Sequence, residues 1–485
     1  MATWERLGAT DRIFLDMETL DAHLHVAGCF LFDARPLQGP HGGVDFERIQ
    51  AWIASRLHRI PRYRQRIQRI PIEGDPIWVD DPGFNLQYHL RHTRLPPPGD
   101  DRQLKRLCGR VVSQLLDRGK PLWEIWVVDG LEDDRFALVT KIHHCLTDGI
   151  GGVELLGHLL SIDPIKDFEP APVWIPRPNP DRAELARDAI RRRLGLPFEI
   201  GRGLANALRH PQRAWDGAAE TWQGLREAGA HTVHPAADTP INGRIGSHRR
   251  FDWLAIDFDE IREIKHAFGG TVNDIALATA TGAFGRFLER RGLPAREQRQ
   301  LDFRAACPVN VREDAERGAL GNRVANLIVR VPLGESDPVA RLEKVREAMD
   351  AGKHSSQLSA MGAIERIGEL THPGLLAAFA RLNVERRSSN FVFTNVPGPR
   401  TRWHLLEAPL LAAYPVVPLL PNHGVDIALM SYAGGLYWGF NSDWEQLPDL
   451  HDLVLATREA FDELLAAART RSPASARSGP AETEA

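Results

Sequence analysis

The chain has 485 residues, 43% of them hydrophobic, which is too long for one ordinary core and leads us to expect two domains of roughly 200 residues each. A formal charge of -4 gives no reason to expect nucleic-acid binding. Four scattered cysteines (Cys29, Cys108, Cys145 and Cys307) form no CxxC pair, which argues against a disulfide framework or a zinc knuckle and fits a reducing compartment.

From the N-terminus, Trp4, Glu5 and Arg6 lead into an acid-rich stretch without the basic and apolar regions of a signal peptide. No run approaches the roughly 18 apolar residues of a membrane span, so a soluble cytoplasmic chain is expected. His25 to Phe32 reads as a strand, and Phe46 to His58 as a helix with Phe46, Ile49, Trp52, Ile53 and Leu57 on one side. Leu104 to Leu116 reads as an amphipathic helix closed by Gly119 and Pro121. Strands follow at Leu122 to Val128 and Arg135 to His143, joined by a turn on Gly130, Glu132, Asp133 and Asp134. A helix is expected from about Val153 to Leu160.

Six prolines between Pro164 and Pro180 then mark an extended linker, followed by an arginine-rich helical region from Arg182 to Arg213. The α/β pattern resumes with a strand at Phe251 to Phe258 and a helix at Asp259 to Phe268. A long helix begins at Val272, with Thr271 as its N-cap. Strands are expected at Arg304 to Val311, Val324 to Val331, Asn390 to Asn395, Gly424 to Tyr432 and Gly435 to Ser442, with helices at Pro338 to Ala351 and Leu450 to Ala468. Leu405 to Leu420 is apolar, but Pro409, Pro415 and Pro418 argue against a central strand. It reads as the lining of a tunnel or as a buried loop. These shifts divide the chain into 1–165, a linker 166–247, a second domain 248–469 and a disordered tail 470–485.

Lys141-Ile-His-His-Cys-Leu-Thr-Asp-Gly149 carries the most chemistry. On a strand Phe136, Leu138, Thr140, Ile142 and His144 share one face, and His143 takes the other. An imidazole at the surface of a cleft is suited to general-base work near neutral pH. The bland alternative is a hydrogen-bonded structural histidine. A His-His-x3-Asp metal site lacks a third ligand at recognisable spacing, and a Cys145–His144 nucleophilic pair fails because strand neighbours point apart.

The same segment matches the HHxxxDG signature of coenzyme A-dependent acyltransferases. It most resembles the bacterial wax ester synthase/diacylglycerol acyltransferase (WS/DGAT) family. Pro121-Leu-Trp-Glu-Ile-Trp126, Thr271-Val-Asn-Asp274, Pro308-Val-Asn-Val-Arg312, Gly321-Asn-Arg-Val-Ala-Asn326 and Thr394-Asn-Val-Pro-Gly-Pro399 follow in that family's order. The resemblance covers roughly residues 5 to 465, with Cys145 where the family often has alanine. It implies an α/β fold of two chloramphenicol-acetyltransferase-like domains, mixed sheets flanked by helices, with the active-site tunnel at their interface. It also implies transfer of a long-chain acyl group from acyl-CoA to diacylglycerol or a long-chain alcohol, with no permanently bound cofactor.

By the same resemblance His144 is the general base and His143 supports the turn. Asp148 pairs with Arg312 to brace the loop, and Gly149 gives it freedom to turn. Asn273 and Asp274 support the site across the interface, although capping of their own helix explains them equally well. Thr394 and Asn395 are candidates for holding the oxyanion. The arginine-rich helices suggest peripheral contact with the inner membrane face or lipid bodies. Two rival readings stand: a condensation-type enzyme with a carrier-protein partner, and a non-catalytic lipid-surface protein of the same fold.

Overall fold

The computed structural model describes residues 4–39, 42–71, 73–147, 149–191, 235–310, 324–353 and 385–471, with short pieces at 194, 208–210, 212, 215 and 381. The expected tail beyond 471 and most of the arginine-rich region lie outside the described residues.

The first half runs β1 (Trp4–Arg6), α1 (Ala9–Met17), β2 (His25–Asp33), α2 (Phe46–Arg56), β3 (Gln65–Arg69) and β4 (Pro76–Asp80). It continues through α3 (Leu86–His89), β5 (Leu90–Arg94), α4 (Asp101–Val112), β6 (Trp123–Leu131), β7 (Arg135–His143) and α5 (Gly149–Leu159). The second half opens with β8 (Arg249–Asp257), α6 (Phe258–Phe268), α7 (Val272–Arg290), α8 (Ala295–Gln298), β9 (Arg304–Asn310) and β10 (Val324–Arg330). It closes with α9 (Pro338–Lys353), β11 (Phe391–Pro397), β12 (His404–Leu405), β13 (Ala408–Val416), β14 (Val425–Tyr432), β15 (Gly435–Asp443) and α10 (Leu450–Arg471).

Two six-stranded mixed sheets form the body, ordered β12-β13-β2-β7-β6-β5 and β10-β9-β11-β14-β15-β8, and a small sheet β1-β4-β3 stands beside the first. Alternation along β7 explains why the first sheet is covered on both faces. Phe136, Leu138 and Ile142 enter a core with residues of α2 and α5, whereas Ala137 and Val139 enter one with α4. The β6–β7 hairpin turns through Asp133 and Asp134 in the left-handed region, as their turn-forming sequence predicts. Asp100 and Gln103 make a capping box for α4, and Thr271 and Asp274 make one for α7.

The apolar stretch with three prolines is strand over most of its length, and only Val417 to Leu420, with Pro418, continue as loop. Ala408–Val416 forms β13 and pairs antiparallel with β2 of the first sheet, Tyr414 opposite Cys29. Among the described residues only two pairs with β12 lie on its outer side, the near-edge position that tolerates proline. The expected division places 404–416 in the second domain, yet its hydrogen bonds belong to the first sheet. Sequence proximity had hidden this crossing. It brings the sheets close: a Cβ at Gly439 of β15 would lie 1.7 Å from the Pro415 carbonyl oxygen. Likewise a Cβ at Gly109 of α4 would lie 2.8 Å from the Arg249 carbonyl oxygen of β8. No described helix is long and apolar enough to cross a membrane.

Candidate active site

At the end of β7 the chain leaves its ladder in a turn. The His143 N–H donates to the Leu122 carbonyl (3.0 Å), the His144 N–H to the Leu24 carbonyl (2.8 Å), and the Leu146 N–H back to the His143 carbonyl (3.0 Å). Three backbone bonds therefore orient two successive histidines. The His144 ring stacks on Phe14 of α1, with centroids 3.9 Å apart and planes within 9°.

His144 borders a cavity of about 220 Å³ whose walls come from both sheets. Thr140 and Ile142 reach it from β7, and Val392, Thr394 and Val396 from β11. Pro415 and Val416 of β13, with Val417, Pro418 and Leu420, close another side. The apolar stretch with prolines thus lines the cavity, one of its two expected roles. A hydroxyl and an acyl group could meet at this imidazole, with an apolar wall for the chain.

His143 points the other way and is fully buried. Its Nδ1 accepts the Cys145 N–H at 3.1 Å, which leaves the proton on Nε2, 3.5 Å from Glu18 Oε1. The same carboxylate oxygen lies 3.0 Å from His25 Nε2 and accepts the Leu24 N–H at 3.3 Å, while Arg118 meets Oε2 at 2.8 Å. Burial alone would push the Glu18 carboxyl up, but the contacts to His143 and His25 outweigh it and hold the group below the usual carboxylate range. His25 is pushed down to about 3 by burial, against the pull of Glu18. We read the cluster as a Glu18 anion beside a neutral His25, its charge answered by Arg118. Lys141, also buried, donates to the Val111 and Gln114 carbonyls (3.0 and 2.9 Å) and fastens β7 to α4.

Sequence reasoning missed Glu18, His25, Arg118 and Phe14. The alternation His23-x-His25 at a strand start was the available signal; a glutamate just past a helix gives none until its burial is known.

The remaining candidates separate. Thr394 lines the cavity, whereas Asn395, next along the strand, does not. Asp274 is spent on its helix: its Oδ2 accepts the Thr271 N–H at 2.8 Å, and its own N–H donates to Thr271 Oγ1 at 3.2 Å. It lies close enough to raise the buried Cys307 thiol, after burial itself, to about 12. Asn273 is half-buried beside it and does not line the cavity. Gly149 begins α5. Asp148 and Arg312 lie outside the described residues. Among the described residues no cluster of three His, Cys, Asp or Glu side chains could hold a metal.

A second histidine cluster resembles a hydrolytic triad and is structural. His423 Nδ1 is 2.9 Å from Asp426 Oδ1, and Ser389 Oγ is 3.3 Å from His423 Nε2. That Nε2 also meets the Ser389 carbonyl at 3.0 Å, so it carries a proton and cannot take one from the hydroxyl.

Residues 7–276 match the wax ester synthase/diacylglycerol acyltransferase catalytic domain, and residues 320–465 match the WS/DGAT C-terminal domain. A Mycobacterium bovis protein and a Mycobacterium tuberculosis protein, each named as a diacylglycerol O-acyltransferase, are 30% identical over 96% of this chain and 96% of their own. The solved wax ester synthase/diacylglycerol acyltransferase of Marinobacter aquaeolei superposes with a TM-score of 0.66 at 24% identity, covering 96% of this chain and 99% of that one. The first condensation domain of the calcium-dependent antibiotic synthetase, at 16% identity, superposes with a TM-score of 0.59 over 96% of both chains. The shared fold is the two-domain chloramphenicol-acetyltransferase-like one.

Proposed function

The chain belongs to the wax ester synthase/diacylglycerol acyltransferase family, and we propose that it carries out that family's acyl transfer to diacylglycerol or a long-chain alcohol with His144 as general base and long-chain acyl-CoA as donor. A related fold, the starter condensation domain of rhizomide synthetase, has been solved with C8-CoA bound, which supports a thioester donor.

His144 takes the hydroxyl proton as the oxygen attacks the thioester carbonyl. The tetrahedral intermediate collapses to the ester, and the departing thiolate takes the proton back from the imidazolium. Holding both substrates at one imidazole supplies much of the acceleration. Thr394 Oγ1, facing the same cavity, is the proposed donor to the oxyanion, and Asn395 is left on the other face. Asp148 and Arg312 are proposed to brace the loop as a pair, with His143, Gly149, Asn273 and Asp274 shaping it. Removing one member of a buried pair costs about 3–5 kcal/mol, so Asp148→Ala should lose folded protein as well as activity.

One observation carries this reading: His144 stands at a mostly apolar cavity built by both sheets. Purified protein given palmitoyl-CoA with dioleoylglycerol or hexadecanol should release free thiol, and His144→Ala should abolish that release. Release at the native rate from the alanine variant would remove His144 from the mechanism. Thr394→Val with undiminished turnover would remove the oxyanion assignment.

The acceptor is a membrane lipid, and we propose peripheral docking of a cytoplasmic enzyme on the inner membrane face or on lipid bodies. The exposed Ile190, Leu194, Leu208 and Trp215 among arginines support it. Charge reversal at Arg191, Arg192 and Arg193 should release the protein from anionic liposomes in flotation.

A further inference from the structure

On the far side of the first sheet, α4 and β8 enclose a cleft of about 950 Å³. It shares no lining residue with the cavity at His144, and the buried Ala22, Ile245 and Leu419 pack between the two. A ligand held there is walled off from the reacting atoms. The chain as a whole carries a formal charge of -4, yet five arginines and a lysine line this cleft against a single carboxylate. That carboxylate, Asp252, is already taken by Lys105 at 2.5 Å and His451 at 2.8 Å. Arg249 is spent on the backbone, donating to the Gly246 and His248 carbonyls at 2.6 and 3.1 Å. Arg102, Arg106, Arg110 and Arg250 remain, and among the described residues none of them meets a carboxylate.

The spacing of Arg102, Arg106 and Arg110 puts them on one face of α4, over about 12 Å of its axis. Like charges at this spacing destabilise a helix, and no acidic residue stands three or four positions from any of them. Arg250 approaches from the opposite wall, its guanidinium 3.7 Å from the ring centre of the exposed Trp444. Burial, then the nearby Arg106 charge, lowers the Arg250 pKa, so the two guanidiniums repel across the cleft. The walls belong to different halves of the molecule, and the Arg249 N–H donates to Ser113 Oγ at 2.8 Å where they meet. Unpaired positive charge is thus gathered across an internal seam, where a bridging anion would relieve it.

Guanidinium forks match phosphate oxygens. A single phosphate cannot span the row, whereas a chain of linked phosphates meets several forks at once. Free polyphosphates and lipid headgroups both carry this chemistry. A concave cleft of this volume suits the free compound, since small-ligand sites run to roughly 300–1,000 Å³.

We propose that the cleft between α4 and β8 is a binding site for a soluble compound bearing a chain of linked phosphates, distinct from both substrates, which clamps the two halves together through Arg102, Arg106, Arg110 and Arg250. The site does not depend on the acyl-transfer reading and stands or falls apart from it.

The probe is inorganic tripolyphosphate, titrated by calorimetry into the full chain and into its Arg102→Gln/Arg106→Gln/Arg110→Gln variant. The native protein should bind it at least about tenfold more tightly than monophosphate, and the variant at least about 30-fold more weakly than the native protein does. Arg106→Gln alone, at the centre of the row, should weaken binding about fivefold. Tripolyphosphate should raise the Tm of the native protein and leave that of the triple variant where it was. Without ligand the triple variant, relieved of like charges, should melt no lower than the native protein. Equal affinity for monophosphate and tripolyphosphate overturns the site and leaves only a general attraction for anions. Displacement of the probe by palmitoyl-CoA overturns it in favour of the donor. No binding of tripolyphosphate, with flotation on phosphatidylglycerol vesicles lost in the triple variant, overturns it in favour of lipid headgroups.

Discussion

Beside the first sheet Glu18 lies against the strand ends that precede His144; in the second, Asp426 sits on β14, one of the strands that wall the same cavity. Both carboxylates are buried and both hold a histidine. Glu18 touches His25, His143 and Arg118, and through the His143 turn it sets the backbone of a residue that reaches the cavity. Asp426 instead accepts the Val392 and Leu420 N–H groups at 2.5 and 3.2 Å, and its histidine turns inward to Ser389. A buried acid–histidine pair is therefore no mark of catalysis in itself. Here one such pair sits beside an imidazole that borders a cavity, and the other fastens that cavity's wall.

The sharpest way to break this contrast is to remove each acid in turn. Asp426→Asn should lower stability by about 3 kcal/mol in urea unfolding, while the folded fraction turns over within about threefold of native. A turnover collapse without loss of stability would show that the second acid also serves the chemistry. Glu18→Gln should lower turnover about 30-fold, near 2 kcal/mol, and stability at least as much as Asp426→Asn, because it removes the anion shared by His25, His143 and Arg118.

Acidification sharpens the same contrast. The folded pKa of His25 is about 3 against its ordinary 6.5. Below pH 6.5 the unfolded chain thus takes a proton that the folded one refuses. Stability should fall with pH by up to about 1.4 kcal/mol per unit. Glu18, held below the usual carboxylate range, adds to the loss once the unfolded carboxyl protonates. Urea unfolding at pH 7 and pH 5 reads the slope, and His25→Gln should flatten it. Smallest is Phe14→Leu, which removes the ring under His144 and should slow turnover roughly threefold, about 0.7 kcal/mol.

Much of this was legible in the sequence. The face alternation that sends His144 one way and His143 the other follows from strand period alone, and Thr271 and Asp274 cap α7 as their spacing predicts. The same period parts Thr394 from Asn395, a consequence the motif resemblance had obscured. Glu18 stayed hidden because its role depends on burial under a strand over a hundred residues away. Strand β13 stayed hidden because its prolines read as breakers, and only the sheet order shows that it sits next to an edge.

That strand also limits how the enzyme can be dissected. A fragment ending at the linker would leave β2 with an unpaired edge, an invitation to aggregation, and the complementary fragment would carry a homeless ribbon. The two halves are better regarded as interlocked than as beads on a string. They should recover activity when produced together as separate chains, and precipitate when produced apart.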